Sequence, residues 1–198
     1  LDPNYTISWQ RDLPFHFCHI ALYFSLIAMY FKFRSISTNQ DKASSKNQFL
    51  FEAAFLLGLS GALQGIFTPD FKNIHNFIGI LCGQLQHSLI ILNVLWLIFA
   101  CKMKLTFRGV IYTYLFTIII IPIALFVNYI LGSNTNGDAA NYLYVIELPE
   151  VDNTLLNLIN QYPYPDYILY IQPIIIVYLL VLYLPFFAFS YYKKTNYS

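Results

Sequence analysis

Five long apolar runs, separated by polar or proline-containing stretches, organise the chain. A bilayer core is crossed by about 20 mostly apolar helical residues, and this rule predicts spans over 13–33, 49–67, 78–100, 107–131 and 167–191. Pro14 falls in the first turn of the first span, where its missing N–H is harmless. The second span follows the polar linker SISTNQDKASSKNQ and stops at TPD, while Pro122 is read as the sole break within a span. No internal repeat is evident. The predicted architecture is an all-α, multi-pass transmembrane helical bundle forming a single domain, 1–198, with 132–166 as its long outer segment.

Composition sharpens this picture. Hydrophobic residues make up 58% of the chain, aromatics 19% and charged residues only 11%, against the roughly 25% charge of a soluble domain. The net charge of +1 comes from scattered residues, which excludes a nucleic-acid surface. The abrupt start at Leu1, without an initiator Met or a signal-peptide layout, leads to the expectation that further N-terminal helices precede this segment.

The basic residues set an orientation. Lys32, Arg34, Lys42 and Lys46 follow the first span, Lys102, Lys104 and Arg108 the third, and Lys193 and Lys194 the fifth, whereas Arg11 and Lys72 stand alone at the other ends. By the positive-inside rule the C-terminus is expected in the cytoplasm of a cell-membrane protein. Acidic residues such as Asp12, Asp70, Glu147 and Asp166 fall on the opposite, outer side.

With that orientation, polar side chains gather near the outer ends of the spans: His16, Cys18 and His19 on the first, Gln64 on the second, Gln84, Gln86 and His87 on the third, Asn128 on the fourth and Gln172 on the fifth. Convergence at one depth predicts a polar pocket open to the outer leaflet. Glu52 at a span edge and Asn93 near mid-depth lie apart from it. Gly58, Gly61 and Gly65 share one face of the second span, and Gly79, Gly83, Gln86, His87 and Ile90 one face of the third, a spacing that allows close helix approach. Taken singly, Gln64, Gln84, Asn93 and Gln172 read as interhelical glue. His87, beside Gln86 on a glycine face, reads as functional.

The stretch LPFHFCHIAL threads two histidines and a cysteine through an oily run, where an unpaired polar group costs several kcal/mol. Three readings stand side by side. The side chains are structural, satisfied by amides and carbonyls; or His16 and His19, spaced i, i+3, join His87 as metal ligands, although no carboxylate or second-shell partner is apparent within the spans; or Cys18 is a nucleophile with a histidine as its base. The third needs an imidazole close by, because apolar surroundings disfavour a thiolate. On a regular helix His16 points about 160° away from Cys18, which leaves His87 on another span to face it. Cys82 and Cys101 sit in apolar runs, and no C-x-x-C pair occurs, so neither a disulfide framework nor a thiolate zinc site is indicated.

Several segments resemble one family. LPFHFCHI resembles the L-P-L-H-L-C segment of the YwaF family of bacterial integral membrane proteins, GLSGALQGIFTPD its G-x-x-G-A-L-Q-x-x-x-T-P-D signature, QHSLI its H-x-L-I segment and FVNYILGSN its N-Y-x-x-G-x-N. QYPYPDYIL and VLYLPF resemble its P-W-P-W-Y and closing L-Y-L-P-F. That family is similar to the eukaryotic transmembrane protein 164 group, which the resemblance associates with acyl transfer on phospholipids through an acyl-carrying cysteine and a partner histidine. Carried over by motif position, those roles fall on Cys18 and His87.

The reading that emerges is a lipid-modifying acyltransferase acting on a phospholipid or lysophospholipid without a cofactor or metal. Cys18 and His87 are its catalytic pair, and His16, His19, Gln64, Gln86 and Asn128 line the substrate site. A small-solute binding or transport protein using the same polar groups is the rival, weakened by the absence of polar residues continuing toward the cytoplasmic side. An assembly factor presenting the outer segment is a third possibility. Membrane lipids are the expected partners, and the sequence leaves the oligomeric state undefined.

Overall fold

The computed structural model describes residues 7–38, 45–67, 77–135, 137, 139–148, 159 and 161–196. The T-P-D motif lies outside them. Among the described residues the chain is all-helical in its regular elements: α1 Phe17–Ser37, α2 Ser45–Phe67, α3 Phe77–Phe99, α4 Phe107–Leu131 and α5 Tyr167–Asn196, with one short 3-10 turn, η1 Tyr142–Tyr144. All five α-helices are long and apolar enough to cross a membrane, and the chain is a multi-pass membrane protein.

Helix α2 is the hub and touches the other four. Its glycine face explains how. At Gly58 an added Cβ would meet Ile90 of α3 at 2.9 Å and Ala21 of α1 at 3.4 Å, so α1 and α3 both close on α2 where it has no side chain. The buried residues of α1, Ala21, Ser25 and Ala28, form the matching small-residue stripe. These pairings make α1 and α3 each antiparallel to α2. Deeper in the bundle Asn93 is not isolated: its Nδ2 donates to Ser25 Oγ at 3.4 Å, and Ser25 Oγ donates to the Leu22 carbonyl at 2.8 Å. A second layer, built on Phe51, Phe55, Leu56, Val94, Leu97, Val110 and Leu179, joins α5 to the hub, with the Phe55 and Phe186 rings edge to face at 5.3 Å. The outward faces of α3 and α5 expose Leu, Ile, Val and Phe, as lipid contact requires.

Boundaries differ from the hydropathy reading where tertiary contacts intervene. Helix α1 begins at Phe17 rather than 13, because Leu13 N–H donates to the Tyr142 hydroxyl at 2.9 Å and Asp12 accepts from Ser8 N–H at 2.7 Å, tying the preceding chain into turns. Its last turn runs on to Ser37, whose hydroxyl donates to the Phe33 carbonyl, and α2 starts at Ser45, so both helices take residues from the polar linker. Pro122 does not break α4, which continues to Leu131, and it is not alone: α5 carries Pro173 and Pro185 within its length.

Candidate functional site

The site is assembled at the start of α1. His16 is the N-cap, with extended backbone (φ −94°, ψ 159°) and no side-chain cap bond, which makes Cys18 the second helical residue. Its sulfur therefore lies in the first turn, where free N–H groups and the helix dipole best tolerate negative charge.

Cys18 Sγ lies 3.6 Å from His19 Nδ1. Adjacent helical side chains point about 100° apart, and the Cys18 and His19 side chains nevertheless meet. No hydrogen bond joins the sulfur to His87. His87 nevertheless belongs to the same face of α2. Cys18 packs over Gly61, with its Cβ 3.6 Å from where a Gly61 side chain would begin, and the His87 ring lies on Gly65, one turn further along, with Nε2 only 2.6 Å from the equivalent point. The Nδ1 atoms of His87 and His16 are buried without a hydrogen-bond partner.

His16 and His19 do not form the helical i, i+3 pair expected for metal ligation. With His16 outside the helix, their rings stand 6.2 Å apart and tilted, and His16 packs instead against Tyr144 at 5.0 Å and Tyr142 at 5.5 Å. Burial, with His19 beside it, pushes the His16 imidazole down to about 4, so it is neutral at pH 7. Among the described residues no three His, Cys, Asp or Glu side chains gather in a metal-holding group.

The two tyrosines belong to a strap that follows α4. It opens with an antiparallel bridge, Ser133 to Ala139, and is clamped by Asn128. That side chain is 2% exposed and grips the Tyr142 backbone from both sides, Nδ2 donating to the carbonyl at 3.1 Å and Oδ1 accepting from the N–H at 2.8 Å. Both polar atoms of the Asn128 side chain thus hold the strap. Tyr142 donates its hydroxyl to the Trp9 carbonyl at 2.7 Å, and the Tyr167 hydroxyl donates to the Tyr144 carbonyl at 2.7 Å. Leu143 and Tyr144 take the left-handed conformation, φ 59° and 52°, a cost of roughly 1–2 kcal/mol each that this clamp offsets.

The amides divide. Gln84 reaches across to the Gly65 carbonyl at 3.4 Å, and Gln172 bonds the Ile168 carbonyl of its own helix at 2.8 Å; both are structural. Gln64 and Gln86 are half-buried beside Gly65 and His87 respectively. Gly83, expected at a close helix contact, has nothing within 4 Å.

This geometry predicts unequal tolerance along one face. Gly65→Ala should drive the His87 ring from its seat and lower the melting temperature in detergent, at a cost of about 1–3 kcal/mol typical of overpacking. Gly61→Ala, which meets Cys18 only at ordinary contact distance, should be neutral or slightly stabilising through helix propensity. Equal effects at both positions would refute the seating of His87 on Gly65.

Comparison with known proteins adds one finding. The family model of the TMEM164 family matches residues 3–183. No curated protein and no solved structure matches the chain.

Proposed function

The chain belongs to the TMEM164 family, and on that premise we propose that it is a membrane-embedded acyltransferase acting on a phospholipid or lysophospholipid, with Cys18 as nucleophile. The observation that carries the reading is a thiol in the first turn of a membrane helix, 3.6 Å from an imidazole nitrogen. The thiol gives its proton to an imidazole and attacks an ester carbonyl. The C–S bond forms, the ester C–O bond breaks, and the same proton leaves on the alkoxide. In the second half an acceptor hydroxyl attacks the thioester and the proton path reverses. By family resemblance His87 is the partner histidine, and the half-buried Gln64 and Gln86 are the amides proposed to steady the tetrahedral oxygen.

Incubating the purified protein with phospholipid should add an acyl mass to the peptide containing Cys18, removable by hydroxylamine as a thioester is. A broad panel of phospholipids and acyl donors that leaves Cys18 unmodified would overturn the proposal in favour of a solute carrier, which should instead show flux in proteoliposomes.

We also propose that the C-terminus is cytoplasmic, which places the site in the outer leaflet. A cysteine introduced as Glu147→Cys should react with an impermeant thiol reagent on intact cells, and one introduced as Ser45→Cys should not. The opposite pattern moves the site to the inner leaflet.

A further inference from the structure

Within the acyl-transfer reading, on which this step rests, we infer that His19 rather than His87 receives the thiol proton of Cys18. His19 is the imidazole that touches the sulfur, Sγ to Nδ1 at 3.6 Å. With the proton of the neutral ring on Nε2, Nδ1 is an acceptor and the thiol S–H donates to it. His87 is held elsewhere on the same groove. Its ring seats on Gly65, one turn from the Gly61 position that carries Cys18, and it makes no hydrogen bond to the sulfur.

The two imidazoles therefore have separate tasks. The S–H proton moves to His19 Nδ1 as the thiolate attacks the ester carbon, and His19 passes it to the departing alkoxide when the C–O bond breaks, so the ring ends neutral. In the return half His19 takes the acceptor hydroxyl proton and restores it to sulfur as the thioester is cleaved. His87 remains neutral throughout, and its ring, seated on Gly65 one turn along the groove from Cys18, is placed to donate an N–H to the carbonyl oxygen on which negative charge develops. Neutral histidine as a hydrogen-bond donor is suited to a low-dielectric site where an imidazolium is costly.

The test uses the intrinsic reactivity of the thiol and needs no lipid substrate. In the full chain carrying Cys82→Ala and Cys101→Ala, alkylation of Cys18 by iodoacetamide is timed at neutral pH by mass spectrometry. His19→Gln should slow it by about tenfold or more, since the thiolate is the reactive species, whereas His87→Gln should leave it within about twofold. Slowing by His87→Gln with no effect of His19→Gln overturns the assignment. Wild-type protein gives a second readout independent of how the variants fold. After partial carbethoxylation of histidines with diethyl pyrocarbonate, molecules modified at His19 should resist alkylation at Cys18, and molecules modified only at His87 should react normally; the converse overturns the proposal. The two readings fail separately. A His19-dependent thiol that never takes an acyl group removes the acyltransferase and keeps the pair, while an acylated Cys18 with a reactivity indifferent to His19 does the reverse.

Discussion

Cys18→Ser should abolish the hydroxylamine-sensitive acyl adduct and, with it, release of the leaving lysolipid, leaving the melting temperature of the protein nearly unchanged. Serine is close to cysteine in size, and Cys18 meets Gly61 through its Cβ and backbone atoms at ordinary contact distance, atoms that the exchange leaves in place, so packing survives it. Chemistry does not. A hydroxyl is far weaker as a nucleophile than a thiol at the same site, and a neighbouring imidazole that suffices for sulfur has a much larger proton-transfer barrier to overcome with oxygen. His87→Ala should reduce adduct formation by about 10² to 10⁴, the range for losing a positioned hydrogen-bonding or acid–base group. Cys82→Ala should change nothing, because that cysteine is exposed on the outward face of α3. An adduct that persists in Cys18→Ser and vanishes in Cys82→Ala would move the nucleophile to α3.

Hydropathy made the helices legible, and for a physical reason: in hydrocarbon the backbone has no alternative to internal hydrogen bonding, so an apolar run of sufficient length becomes a helix. Even so, α1 starts at Phe17, four residues beyond where hydropathy alone begins the span. The signal that sets it is the Tyr142 hydroxyl holding Leu13 N–H, a contact across 129 positions that no local pattern encodes. The glycine stripe of α2 was readable because its spacing is local, whereas Gly83 of α3 shared the spacing without the contact. Among the candidate site residues, Cys18 and His87 stand out in the sequence by their chemistry in an oily context. The contact of His19 with the sulfur is not legible in the sequence, because regular helix geometry turns adjacent side chains about 100° apart. The backbone grip of Asn128 on Tyr142 is not legible in the sequence, since the strap it clamps is irregular and carries no periodic signature.

Glu52→Ala should produce the largest loss of stability in the bundle, on the order of 3 kcal/mol, though it lies at the opposite end from Cys18. In sequence Glu52 is only a charge at a span edge. In the structure it is 3% exposed, and its Oε1 accepts from Thr106 N–H at 2.9 Å, from the Thr106 hydroxyl at 2.7 Å and from Gln48 Nε2 at 2.9 Å. Thr106 is the N-cap of α4 and accepts from Gly109 N–H at 3.1 Å, so the carboxylate reinforces the capped, positive end of that helix. Gln48 also donates to the Lys104 carbonyl at 2.8 Å, which ties the chain between α3 and α4 to the same point. Hydrogen bonds to a charged group contribute about 1.5–3 kcal/mol each, and the recovered desolvation of the carboxylate offsets part of their sum. Room for the carboxylate comes from Gly109, where any side chain would collide with it. Gly109→Ala should therefore destabilise the wild-type protein strongly, and in a Glu52→Ala background its cost should largely disappear, a coupling that thermal melts of the two single variants and the double variant measure directly. Additive losses would mean that Gly109 is constrained by something other than Glu52, and an unchanged melting temperature in Glu52→Ala would refute the anchoring of α4 through this carboxylate.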